Sequence, residues 1–220
     1  MRIVAVRSSV LATLAVVLLG VAGSQAASSP PVAGSSFYVV RADPRLCPSP
    51  ICGGYWVSRA NFARTRCHDG LLRPRCYVAS ALGEDRQPLT TGVPDGALAR
   101  ATTEPRTFGG FGKLGVLVVA DVFSPAGRAQ PSGRFFRLID TGIRCIRAPC
   151  FSVRASTLNR SSRTTLSGVA ILGVVPDELA ARVEKALRGK NGVLAQGQVA
   201  TSSDGGRALR PTRFFLGSES

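Results

Sequence analysis

Apolar and polar positions alternate in short runs along most of this chain, the two-residue period of half-buried strands. Phe37 to Arg41, Tyr55 to Ala63 and Tyr77 to Leu82 read this way, and Leu114 to Val122 is apolar on both faces, as a central buried strand would be. One stretch has a helical period instead. After Val175-Pro176-Asp177, the residues Leu179, Val183, Ala186 and Leu187 fall on one face. Asp177 and Glu178 stand at its positive end, Lys185 and Arg188 at its negative end, and Gly189 stops it. Val93-Pro94-Asp95 opens a weaker pattern through Ala97, Leu98 and Ala101, interrupted by Gly96, Thr102, Thr103 and Pro105, for which a short helix is expected.

The pattern recurs. Phe37-Tyr38, Cys47, Cys52 and Asn61 are matched at one constant interval by Phe135-Phe136, Cys145, Cys150 and Asn159. A glycine-led strand follows each Val-Pro-Asp segment, at Gly115 and at Gly192. A third aromatic pair, Phe214-Phe215, ends the chain, and Arg207-Ala208 precedes it as Arg128-Ala129 precedes Phe135. The expected fold is therefore β-rich α+β: a tandem duplication of a strand, Cys loop, strand, strand, helix, strand unit, stapled by disulfides. Residues 37–130 form the first unit and 131–220 the second, with the boundary near Gly127 to Gly133. Two packed domains and one pseudo-symmetric domain sharing a sheet are both open.

The repeat also restricts the cysteines. Cys47/Cys52 and Cys145/Cys150 are equivalent, whereas Cys67 and Cys76 lie in a stretch the second unit lacks. An insertion that carries both its cysteines is most simply a self-closed hairpin, and Asp69-Gly70 supplies its turn. The expected pairs are Cys47–Cys52, Cys67–Cys76 and Cys145–Cys150. Loops this short gain only about 2 kcal/mol each from closure, so the core must hold the fold together.

Arg2 and Arg7, the apolar run Val10 to Val21 and the small residues around Ala26 form a signal-peptide pattern, giving residues 1–26 as a cleaved leader. The run is shorter than a membrane span, so no transmembrane segment is expected after cleavage. Residues 27–36, rich in Ser, Pro and Ala, form a flexible N-terminus. Export agrees with oxidised cysteines. The formal net charge is +15, nearly all of it from arginine, the better partner for phosphate, sulfate or carboxylate. The arginines are scattered rather than blocked, so a solvated face competes with a polyanion site.

No catalytic residues, metal or cofactor are assigned. The only histidine, His68, sits in the hairpin tip and is expected to face solvent. Cys47, Cys52, Cys67, His68 and Cys76 could compose a zinc set, but their spacings fit no common finger. Carboxylates are few, and Gly109-Gly110-Phe111-Gly112 precedes a strand instead of opening a helix, unlike a phosphate loop. The candidate contacts are the cysteine loops, Pro48-Ser49-Pro50-Ile51 and Ile146-Arg147-Ala148-Pro149, which disulfides preorganise. Asn159-Arg160-Ser161 matches a glycosylation acceptor, but Asn61 holds the equivalent place without the motif, so a backbone-bonding turn is expected at both.

The segments Cys47-Pro48-Ser49-Pro50-Ile51-Cys52-Gly53-Gly54-Tyr55-Trp56-Val57, Arg66-Cys67-His68-Asp69-Gly70 and Cys76-Tyr77-Val78-Ala79 resemble a family of exported bacterial proteins known only as a domain of unknown function. The phrase Gly142-Ile143-Arg144-Cys145-Ile146-Arg147-Ala148-Pro149-Cys150 is similar as well. The resemblance implies export and a duplicated architecture, and it carries no activity. The function expected is a non-enzymatic exported module, structural or binding, meeting an anionic polymer or envelope surface. The alternatives are a protease inhibitor presenting Ile146 to Pro149, with Arg147 projecting, and a hydrolase without a recognisable motif.

Overall fold

A computed structural model describes residues 34–127 and 129–217; the expected leader 1–26, residues 27–33 and Arg128 lie outside the described residues. The strands are β1 (Ser36–Ala42), β2 (Tyr55–Arg59), β3 (Thr65–Arg66), β4 (Leu72–Arg73), β5 (Cys76–Val78), β6 (Ser80–Leu82), β7 (Leu98–Thr107), β8 (Lys113–Ala126), β9 (Arg134–Asp140), β10 (Val153–Thr157), β11 (Arg163–Leu166), β12 (Gly168–Val169), β13 (Val193–Thr201) and β14 (Arg207–Gly217). The helix α1 (Asp177–Arg188) lies between β12 and β13. Ser36, expected in the flexible stretch, already belongs to β1 and pairs with Ala101.

One twelve-stranded sheet runs through the described chain in the order β11-β10-β9-β13-β14-β8-β7-β1-β2-β5, with β6 on β8 and β12 on β14. The path through the first half, β5-β2-β1-β7-β8, is the path through the second, β11-β10-β9-β13-β14. Each half curls back on itself. Only Ala79 separates β5 from β6, which pairs in parallel with β8, and the Ala79 N–H donates to the Gly115 carbonyl at 2.8 Å. Only Ser167 separates β11 from β12, which pairs in parallel with β14, and both its N–H and its hydroxyl donate to the Arg207 carbonyl. Gly54 permits the tight corner after the first cysteine loop: a Cβ there would lie 2.1 Å from the Val78 carbonyl oxygen.

Each half surrounds its own core. Val40, Val57, Val78, Ala99 and Leu117 fill the first; Leu138, Ala155, Leu166, Leu209 and Phe214 fill the second, which α1 covers with Ala180 and Val183. A third cluster joins the halves: Ala60, Leu98, Leu158, Leu194 and Phe215, flanked by Phe37, Phe123 and Phe135. Phe37 packs on Phe123 at 6.2 Å between centroids and Phe135 on Phe215 at 5.9 Å, tilted pairs within the range aromatic rings favour.

The asparagines reach across this junction. Asn61 and Asn159 both have left-handed backbones, φ 65° and 58°, a conformation that asparagine tolerates better than most residues. The Asn61 amide donates to the carbonyls of Phe135 (2.8 Å) and Leu158 (3.0 Å), and its carbonyl oxygen accepts the Phe135 N–H (2.9 Å). The Asn159 amide donates to Phe37 (2.8 Å) and Ala60 (3.0 Å) and accepts the Phe37 N–H (2.8 Å). The backbone-bonding role is thus carried out between the halves rather than within each turn.

The weak helix expected from Val93 to Ala101 is instead a turn and a strand. The Ala97 N–H donates to the Pro94 carbonyl, Gly96 has φ 73°, and β7 begins at Leu98. Leu98, Ala99 and Ala101 bury between β1 and β8, a burial that outweighs the strong helix preference of leucine and alanine. Pro105 is tolerated because it lies beyond Ala101, past the last residue that pairs with β1. The Gly115 strand accordingly follows β7 as its hairpin partner, not a helix. Phe214-Phe215 does lie in a strand, but β14 pairs with β13 and β8, the position in its half that β8 occupies in the other. The helix α1 forms where its period places it, with Asp177 and Glu178 in the first turn and Lys185 and Arg188 in the last.

Candidate functional site

The disulfides are Cys47–Cys52, Cys67–Cys76 and Cys145–Cys150, with Cα separations of 5.3, 5.4 and 5.5 Å. The four cysteines of the zinc set are therefore not available as thiolates, and among the described residues no group of three or more His, Cys, Asp or Glu side chains could hold a metal. Both loops between bridged cysteines are at the surface. Leu46 and Ile146 are fully exposed, Pro48, Ser49, Ile51, Arg147 and Ala148 are exposed, and Pro50 and Pro149 are half-buried after cis peptide bonds.

The loop bases differ. In the first, the buried Asp43 carboxylate accepts two hydrogen bonds of 2.9 Å from the Arg45 guanidinium, and a third contact of 3.3 Å comes from the Trp56 indole. Arg45 also stacks on Trp56 and Tyr77, Arg75 stacks on Trp56, and the Tyr77 hydroxyl donates to the Pro50 carbonyl at 2.8 Å. Hydrogen bonds from Arg45 hold the Asp43 carboxyl below the usual carboxylate range, against the opposing effect of its burial. In the second, Asp140 accepts from Arg144 at 2.9 and 3.1 Å and from the Gly142 N–H at 2.8 Å, which lowers its carboxyl likewise. No aromatic cluster backs that loop among the described residues.

His68 does not face solvent as expected. It is half-buried, and its Nδ1 is sealed against β8, 2.8 Å from where a Gly115 Cβ would stand, with no hydrogen-bond partner among the described residues. The Cys67–Cys76 bridge is buried at both ends and folds the hairpin tip back onto the sheet, which the local sequence could not convey.

A groove that no cysteine-loop residue lines runs over the second half, with Asn61 of the first half at one end. One part, about 580 Å³, is bordered by Arg134, Phe136, Arg163, Thr164, Gln198 and Arg207; the adjoining part, about 410 Å³, by Asn61, Arg134, Arg160, Ser161 and Ser162. Arg134 opens β9 directly after Gly133, whose φ of 88° and 2.1 Å clearance to the Gly197 carbonyl exclude any side chain. The β10–β11 turn, bent at Asn159, projects Arg160, and the Asn61 carbonyl holds its guanidinium at 2.8 and 3.2 Å. Arg163 opens β11 and Arg207 opens β14, where it stacks on Phe151. Among the described residues none of these four arginines forms an ion pair, and no carboxylate lines either part. Four uncompensated guanidiniums and adjacent hydroxyls can bind phosphate, sulfate or carboxylate groups.

Comparison with known families places this geometry: residues 36–220 match the profile of a domain of unknown function, DUF6748. The chain belongs to that family. Neither a curated protein nor a solved structure matches it. Membership in DUF6748 brings no catalytic or binding residue with it, so the groove rests on its own chemistry. Its sequence signal is an absence. From Thr141 to Pro176 the chain carries Arg144, Arg147, Arg154, Arg160 and Arg163 and no Asp or Glu.

Proposed function

We propose that this DUF6748 chain is an exported, non-catalytic module that binds a polyanion in the arginine groove. The observation that carries the reading is the set Arg134, Arg160, Arg163 and Arg207, unpaired among the described residues and free of neighbouring carboxylates in the lining. Arg41, Arg86 and Arg144, by contrast, each pair with a neighbouring carboxylate. Export is supported by the leader pattern and the three disulfides; among the described residues no helix is long and apolar enough to cross a membrane. A non-catalytic role accords with the sealed His68 and the bridged cysteines. Tandem duplication accounts for the constant interval of the repeated residues, the common strand path and the reciprocal asparagines.

The test is binding of the oxidised protein to inorganic polyphosphate across a salt series. Affinity falls steeply as salt rises, and R134Q/R163Q weakens it about tenfold or more. Weak binding at low salt, or binding that salt leaves unchanged, removes the reading.

A protease-inhibitor role keeps one supporting observation: Ile146 is fully exposed and Arg147 exposed on a bridged loop, and Arg147 has no ion-pair partner among the described residues. It requires inhibition of a trypsin-like enzyme that is lost on Arg147→Ala, and a serine-protease panel with no inhibition sinks it.

A further inference from the structure

A second recess of about 520 Å³ lies on the first half, walled by Tyr38 of β1, Arg59 of β2, Arg66 and His68 of the disulfide hairpin, and Thr102 and Thr103 of β7. It too has no carboxylate in its lining, and neither Arg59 nor Arg66 forms an ion pair among the described residues. Three of its residues carry a buried polar atom with no partner among the described residues: Arg59 Nε, His68 Nδ1 and Thr102 Oγ1. Those atoms are closed off from solvent, so what the recess offers a ligand is the charge of Arg59 and Arg66.

One ring is contacted by an arginine of the recess and by an arginine of the groove. Arg59, which lines the recess, stacks on Phe62 at 4.4 Å from the ring centroid; Arg160, which lines the groove, stacks on the same ring at 4.3 Å. Two guanidiniums thus meet one ring at the junction between the halves, and anionic groups bound there would offset their charge. The stack also engages Phe62, as Arg207 engages Phe151, so neither ring stands free as a platform for stacking a base.

Resting on the polyanion reading, we propose that the recess and the groove form one track, and that its ligand is a linear phosphate polymer without bases, long enough to pass from Arg66 and Arg59 across Phe62 to Arg160, Arg134 and Arg163. A short oligomer occupies the groove alone. A long one engages both parts, and the second engagement is intramolecular, so affinity rises with chain length beyond what the groove supplies.

The experiment measures binding of tripolyphosphate and of long-chain inorganic polyphosphate, at equal phosphate concentration, to the oxidised protein. The long chain binds about tenfold tighter or more. R59Q/R66Q abolishes that advantage and leaves tripolyphosphate binding unchanged; R66Q alone, at an exposed residue that leaves the Phe62 stack intact, reduces it in part. R134Q/R163Q weakens both probes. If R59Q/R66Q keeps the full length dependence, the track is wrong while the groove stands; if tripolyphosphate and the long chain both fail to bind at low salt, the polyanion reading itself is wrong. Oligothymidylate of matched charge binds no tighter than polyphosphate, and tighter binding would overturn the base-free assignment.

Discussion

The two cysteine loops have the same spacing and different surroundings. Cys52 is buried at 1% exposure, and the loop it closes is gripped by Arg45, Trp56, Tyr77 and Asp43. Cys145 is exposed, and its loop is held at the base by Asp140 with Arg144 and by the Thr141 hydroxyl donating to the Ser152 carbonyl at 2.8 Å. A short disulfide therefore fixes the ends of such a loop but not its relation to the domain, which residues well outside it decide. The same contrast runs through the halves. The first uses its extra segment as a hairpin folded over the sheet beside Tyr38; the second uses a helix over its core and leaves the β9–β11 face open as an arginine groove.

What the halves share is the asparagine junction, and breaking it gives the largest effect. Asn61→Ala and Asn159→Ala each remove three hydrogen bonds and place alanine at a left-handed φ, so each costs about 2–4 kcal/mol in urea unfolding. The two costs agree to within about 1 kcal/mol if the junction is symmetric in energy as in geometry, and a larger gap shows that one half dominates.

Trp56→Ala tests what only the first loop has. Loss of its contacts with Arg45, Arg75 and Tyr77 costs about 1–2 kcal/mol by the same measurement. Tyr77→Phe, which removes the hydroxyl and its bond to Pro50 while keeping the ring, costs about 0.5–1.5 kcal/mol. Neither change affects the second loop.

Partial reduction followed by alkylation and mass mapping orders the bridges by access. Cys145–Cys150 opens first and Cys67–Cys76, buried at 6% and 2%, opens last. Opening of Cys67–Cys76 before the others would mean that the hairpin does not lie against the sheet.

Acid should affect both loop bases in the same direction. The Asp43 and Asp140 carboxyls are depressed, so their stabilisation is complete above the unfolded-state value near pH 4 and is lost as pH falls through the folded-state values. Asp43→Asn and Asp140→Asn proteins are less stable at neutral pH and lose less on acidification. Unfolding midpoints followed from pH 7 downward check this, and unchanged acid sensitivity in either variant would remove that carboxylate from the account.

Much of the scaffold was legible because it rests on local period and spacing. The aromatic and β-branched runs became β1, β2 and β9, and the apolar face with charged ends became α1. The Val93 to Ala101 segment differs from its helical expectation because its alanines and leucine favour a helix locally; burial of Leu98 between two strands, a tertiary effect, decides it. His68 was misread for a similar reason, since its burial depends on Gly115, distant in sequence. The groove was hidden because Arg134, Arg160, Arg163 and Arg207 are scattered along the chain and meet through the pairing of β10 with β9 and β11, of β9 with β13 and of β13 with β14. Only the missing acids between Thr141 and Pro176 pointed to it.

The most direct test of the arginine groove is the salt dependence of polyphosphate binding by the wild-type protein and by R134Q/R163Q. The account predicts an affinity that falls steeply with salt in the wild type, and a variant that binds more weakly with a shallower slope. Equal affinities and equal slopes for the two proteins would contradict it.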